Sequence, residues 1–156
     1  MTLKYETAFF IAIAIIIAIA TFQRNNLWMD EYLLMTDVTR KSPDKARPYL
    51  NLGLFYFNKN RIDDAIKEYT TALRLTPGYA YAHNNMGVAY YKKGYIDAAI
   101  AEFKDAVQLY PGYAEAHYNL GIAYGGKGLS EKAYAEIKKA MELNKNFTEE
   151  LKASEF

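Results

Sequence analysis

No cysteine occurs among the 156 residues. Disulfides, thiolate zinc sites and cysteine nucleophiles are therefore excluded together, while the redox compartment stays open. A surplus of charge of either sign is also missing. Nineteen Lys and Arg face eighteen Asp and Glu, leaving +1, so there is no electrostatic footprint for nucleic acid, which calls for a basic stripe. Imidazoles are scarce, with only His83 and His117. Neither an HExxH pair nor a P-loop nor a Gly-rich phosphate fingerprint occurs. Catalysis requires a nucleophile, base or metal in mutual reach, and no such constellation is present. The expectation is a protein that is not an enzyme, with no cofactor and no metal. Proline occurs only at positions 43, 48, 77 and 111, which leaves long stretches free to be helical.

What is present begins with an uncharged run. Residues 8–22 read AFFIAIAIIIAIATF, with Thr21 as the one polar side chain. Fifteen helical residues rise about 22 Å, short of the roughly 30 Å hydrocarbon core. Leu3 and Tyr5 extend the run, Lys4 can snorkel, and Arg24, Leu27 and Trp28 supply an interfacial basic–aromatic border. The expectation is a single-pass anchor over 1–23 that contacts membrane lipid through 8–22. A cleaved signal peptide is the alternative, because Ala18-Ile19-Ala20 fits a small-x-small cleavage site. A buried globular helix would need a core on all sides that a chain this small lacks. Positive charge at Arg24, Arg40 and Lys41 favours a cytoplasmic C-terminal part.

The remainder repeats every 34 residues. Gly53, Gly87 and Gly121 keep that spacing, as do Tyr56, Tyr90 and Tyr124, Ala65, Ala99 and Ala133, Ala72, Ala106 and Ala140, and Asn51, Asn85 and Asn119. Segments 80–113 and 114–147 share 15 identities in 34 positions. Apolar residues follow helical spacing twice per unit: Met86, Val88, Ala89 and Tyr90, then Ile96, Ala99, Ile100, Phe103, Ala106 and Val107. Gly87 falls inside the first helix, where close packing on Ala99 is expected. Gly94 and Gly128 read as C-caps, Gly125-Gly126 as a turn, and Pro77-Gly78 and Pro111-Gly112 as helix ends. Asp63, Asp64, Asp97 and Glu131 sit at the starts of second helices, where the helix dipole favours them.

This period and residue order resemble the tetratricopeptide repeat. The resemblance implies an all-α, right-handed superhelical solenoid of helix-turn-helix units at 46–79, 80–113 and 114–147. The third unit departs from the pattern, with Lys145-Asn146 in place of Pro-Gly, and 148–156 suits a partial C-terminal cap around Leu151. Stepping the prolines back by 34 gives Pro43. Met35 and Val38 then align with core positions, and 24–45 reads as a juxtamembrane helix. Within it, 26–41 reads either as the second helix of a degenerate zeroth repeat or as a plain amphipathic helix. The stretch Arg24–Glu31 with Lys41–Tyr49 also resembles the junction in transmembrane and tetratricopeptide repeat-containing glycosyltransferases. Those place their repeats outside the cytoplasm, against the charge count, so the side of the membrane stays open.

By the same resemblance the first helix of each unit lines a concave groove. The first unit would supply Arg47, Leu50, Asn51, Leu54, Phe57 and Asn58. The second would supply Tyr81, Asn84, Asn85, Val88, Tyr91 and Lys92, and the third Glu115, Tyr118, Asn119 and Ile122. Asn51, Asn85 and Asn119 recur once per unit. A carboxamide both donates and accepts, so such a ladder can hold an extended peptide backbone, as the ladder of the repeat-bearing O-linked N-acetylglucosamine transferase implies. The other reading is that each Asn bonds a neighbouring helix. The carboxylate-clamp type does not fit, because Leu54, Val88 and Ile122 fill its Asn places. His83 and His117 hold equivalent positions, which suits a packing role. The expected function is a membrane-anchored scaffold binding a protein segment. An accessory module or fragment of a membrane glycosyltransferase or secretion complex is the alternative.

Overall fold

The computed structural model describes residues 2–144; within the first helix the described side chains are those of residues 10, 11, 13–22, 29 and 31–41. The expected cap at 148–156 and the Lys145-Asn146 departure lie outside the described residues. Among the described residues there are seven helices and no strand. The chain forms two compact units, Met1–Lys41 and Ser42–Phe156.

The first unit is one helix, α1, Thr2–Lys41, 40 residues long. It differs from the expected pair of helices over 1–23 and 24–45. The apolar run continues into 26–41 without a turn, so the two do not form the helix-turn-helix of a zeroth repeat. The physical reason is that no Gly or Pro occurs between residues 2 and 42 to break it. The helix stops where Ser42 precedes Pro43, a residue pair that disfavours the α region. Asp37 pairs with Arg40 and Lys41 in the last turn, where cations complement the helix dipole.

Along the uncharged run the described side chains are exposed, Phe10 by 68% and Phe22 by 66%. Thr21 donates its hydroxyl to the Ile17 carbonyl at 2.8 Å. Among the described residues no helix is long and apolar enough to cross a membrane. Within the run 8–22 the side chains at positions 8, 9 and 12 lie outside the described ones.

In the second unit α2 (Ala46–Asn58) and α3 (Ile62–Leu75), α4 (Ala80–Lys92) and α5 (Ile96–Leu109), and α6 (Ala114–Gly126) and α7 (Ser130–Leu143) form three helix pairs. Each pair packs on itself, α3 meets α4, α5 meets α6, and successive first helices α2, α4 and α6 touch in turn. This is a helical solenoid. Ala65, Ala72, Ala99 and Ala106 are fully buried where the helices cross. The glycine contact differs from the expected one. A Cβ built at Gly87 would stand 2.6 Å from the Phe103 ring, and one at Gly53 2.4 Å from Tyr69. The nearest atoms at the missing side chain are thus those of an aromatic ring sixteen residues on, Phe103 for Gly87 and Tyr69 for Gly53.

The turns also repeat. Asn60, Gly94 and Gly128 all take positive φ, 60°, 80° and 76°. That left-handed step costs glycine nothing and asparagine little. Gly125 and Gly126 close α6 rather than forming the turn. Ion pairs link neighbouring helix pairs: Lys93 holds Asp63 and Lys127 holds Asp97. The hydrogen bond that Lys93 donates to Asp63 raises the Lys93 pKa above its ordinary value.

Candidate peptide-binding site

The first helices α2, α4 and α6 present one face of each repeat side by side. A concavity of about 200 Å³ is lined by Leu54, Phe57, Asn58, Tyr69, Asn85, Val88 and Glu115. Its neighbour, about 260 Å³, is lined by Val88, Tyr91, Phe103, Tyr118, Asn119 and Ile122. Val88 is common to both, so the two concavities adjoin, and this trough draws its lining from all three helix pairs. Lys92 sits at its edge with the ammonium 5.0 Å from the centre of the Phe57 ring.

Tyr69 and Phe103 were not expected here, since they belong to second helices. They reach the floor of the trough because Gly53 and Gly87 have no side chain to cover them. The signal was in the sequence, as a Gly followed by an aromatic sixteen residues later.

Five expected site residues stand elsewhere. Asn84 is fully buried. Its Nδ2 donates to the Tyr113 hydroxyl and to Glu115 Oε1, each at 3.2 Å, and its Oδ1 accepts from Asn119 Nδ2 at 3.0 Å. It fastens α4 to α6 and has no capacity for a peptide. Burial pushes the Tyr113 phenol pKa well up, with Glu115 adding to the effect. Tyr81 packs against Tyr113, ring centres 4.9 Å apart, in a cluster with Tyr79 and Tyr110. Arg47 lines a separate hollow with Asp44, Lys45, Ala46, Thr76 and Tyr79. Asn51 is exposed on α2 and lines neither concavity. Leu50, also expected in the groove, is buried.

The asparagine ladder is therefore uneven. Asn119 already donates to Asn84, which is the helix-packing reading. The residue 34 before Asn84 is Leu50, which cannot accept a hydrogen bond, so Asn85 lacks the equivalent contact. Among the described residues neither the Asn51 nor the Asn85 side chain has a hydrogen-bond partner. Asn85, half-buried in the first concavity, is the carboxamide left available there.

The two histidines are not brought together. His83 Nε2 lies 2.9 Å from the Pro77 carbonyl and Nδ1 2.7 Å from Glu102 Oε2. His117 repeats this with Pro111 at 3.0 Å and Glu136 at 2.7 Å. In the first pair Tyr49 takes the place of His and donates its hydroxyl to the Pro43 carbonyl at 3.3 Å. The carbonyl of the proline that follows each of α1, α3 and α5 is thus capped three times in register. Glu68 occupies the place of Glu102 and Glu136 without a histidine at the facing position. Burial raises its carboxyl above the usual value, opposed by Lys67 and aided by Asp64. Among the described residues, the group able to offer three ligating atoms is His83, Glu102 and Asp105.

A stack of helix pairs with a trough along its first helices defines a class of repeat scaffold. Family models for the TPR repeat match residues 55–94 and 89–128, and a tetratricopeptide-repeat model matches 114–147. The chain belongs to the tetratricopeptide-repeat family. A crystal structure of MamA is similar at 30% identity and a TM-score of 0.68, covering 86% of this chain and 75% of that one. A second MamA crystal structure is 28% identical with a TM-score of 0.67, over 83% and 70%. The first TPR of Spaghetti (RPAP3), bound to the HSP90 peptide SRMEEVD, is 26% identical with a TM-score of 0.64, over 65% of this chain and 81% of that one. No curated protein matches the chain by sequence.

Proposed function

We propose that this protein is a membrane-anchored scaffold that holds an extended, largely apolar protein segment along the trough. The carrying observation is that two concavities sharing Val88 span the first helices of all three pairs. Aromatic rings form the floor, Leu54, Val88 and Ile122 the walls, and Asn85 offers both a donor and an acceptor to a passing peptide backbone. The similar RPAP3 repeat domain binds a peptide, which supports the same mode of use. The partner differs in chemistry: with apolar residues at the clamp positions, the trough favours side-chain burial over capture of a terminal carboxylate. The anchor rests on the uncharged run 8–22 and on Thr21, whose hydroxyl is already satisfied by its own helix as a lipid environment demands. In this reading the repeats face outside the cytoplasm, as in the glycosyltransferase group whose junction the chain resembles.

Photo-crosslinking from position 91 should capture a defined protein segment, and the same probe at exposed Arg74 on α3 should not. Asn85→Ala should weaken that capture about fivefold, the equivalent of roughly 1 kcal/mol for one neutral hydrogen bond, with the melting temperature nearly unchanged. Equal capture from both positions, or a loss that follows melting temperature alone, would sink the groove reading. Carbonate-resistant membrane association and labelling of the repeats by an impermeant reagent in intact cells test the anchor and its side.

A further inference from the structure

We propose that His83, Glu102 and Asp105 bind a divalent first-row transition ion, with Zn²⁺ as the probe, and that the ion fastens α4 to α5. This site is separate from the trough and independent of the reading above. The argument starts from the imidazole. Nε2 faces the Pro77 carbonyl, which can only accept, so Nε2 carries a proton. A ligating histidine usually donates its other ring N–H to such an acceptor, which fixes the tautomer and orients the ring. Nδ1 shares a proton with Glu102 Oε2, 2.7 Å away, with Asp105 Oδ2 at 4.0 Å, and giving up that proton frees its lone pair for a metal. Three acceptors converge on one point, and a positive species belongs there. A proton satisfies one pair of them, whereas a metal ion satisfies all three.

Distances and donor types agree with this. Bonds of about 2.0–2.1 Å at tetrahedral angles put ligand atoms about 3.3–3.4 Å apart. The 2.7 and 4.0 Å separations bracket that value, so small side-chain adjustments close the site. Glu102 and Asp105 are three residues apart on α5 and share a face. One imidazole and two carboxylates form a donor set suited to Zn²⁺ and its neighbours in the series.

The other repeats serve as controls within the molecule. His117 and Glu136 reproduce the His–Glu pair and its proline carbonyl, yet Lys139 stands where Asp105 would be. The first repeat has Tyr49, Glu68 and Thr71 at the three places. The fold therefore requires the carbonyl cap and tolerates the pair, but it does not require Asp105.

The test uses the full chain in detergent, stripped with a chelator and titrated with Zn²⁺ against a chromophoric indicator. The expected result is uptake of one equivalent, accompanied by a rise in melting temperature. Asp105→Lys, an exposed change that copies the third repeat, should weaken uptake at least about tenfold and leave the metal-free melting temperature unchanged. His117→Gln should leave Zn²⁺ uptake unchanged, and Lys139→Asp should add a second equivalent. Absence of uptake by the unmodified chain, or equal uptake by Asp105→Lys, overturns the proposal.

Discussion

The first and second helix pairs solve the same packing problem with different chemistry. In both, a glycine of the first helix admits an aromatic ring of the second, Tyr69 at Gly53 and Phe103 at Gly87. Both also cap a proline carbonyl six residues before the capping side chain, with Tyr49 in one and His83 in the other. They diverge around these fixed points. Leu50 stands where Asn84 stands, Glu68 lacks the histidine that Glu102 has, and Asn60 replaces Gly94 in the left-handed turn. The constants are those that steric exclusion and backbone satisfaction demand. The variables are polar contacts whose loss can be compensated locally.

The largest expected effect breaks what the pairs share. Gly87→Leu should cost about 3 kcal/mol, because the Phe103 ring occupies the space a side chain would need. Urea melts should show the loss with helicity retained in the remaining pairs, since solenoid stability is roughly a sum over units. A neutral result would contradict the glycine–ring contact.

Next comes the contact that only the second pair makes. Asn84→Leu, which copies the first pair, should cost about 2 kcal/mol, because Glu115, Tyr113 and Asn119 all lose a buried partner. The same chemical change at exposed Asn51 should cost little. Equal effects at both positions would remove the distinction between packing and available asparagines.

A smaller effect with opposite signs concerns the half-buried glutamates. Glu136→Gln removes a carboxylate from His117 and should cost about 1 kcal/mol. Glu68→Gln should instead be neutral or stabilising at neutral pH. The Glu68 carboxyl has a raised pKa, so the folded chain holds its proton more readily than the unfolded chain. Its contribution is fully present below the usual value of 4.5 and is lost as pH rises through the raised value. The unmodified protein should match Glu68→Gln in strongly acidic buffer and fall behind it as pH increases. Melts of both proteins from pH 4 to 7 check this.

The smallest effect is at the turn. Asn60→Gly should stabilise the first pair by about 0.5 kcal/mol, since φ of 60° is cheaper without a Cβ. The reverse change, Gly94→Asn, should cost a similar amount. Differential scanning calorimetry on the two variants resolves the sign.

Much of this architecture is legible in the sequence. A spacing of 34 residues, glycines inside helices and prolines after them determine an all-helical solenoid, because helical period and backbone restriction are local properties. Local properties also locate the face that carries Leu54, Val88 and Ile122. The continuity of α1 could have been anticipated too, from the missing Gly and Pro between residues 2 and 42. The prolines invited a repeat register instead, and a register alone does not create a turn.

What the tertiary structure alone decided is which polar groups are already engaged. Asn85 and Asn119 occupy the same repeat position, yet Asn119 is tied to Asn84 and Asn85 is not. That difference depends on the residue 35 positions earlier in one case and on Leu50 in the other. Tyr69 and Phe103 join the trough floor only because a partner helix leaves a gap at each glycine. Asp105 meets His83 only because α4 and α5 fold against each other. Periodicity determines which way a side chain leaves its own helix. Hydrogen-bond partners and ring contacts depend on what another helix brings to that point, so they emerge only when the helices pack.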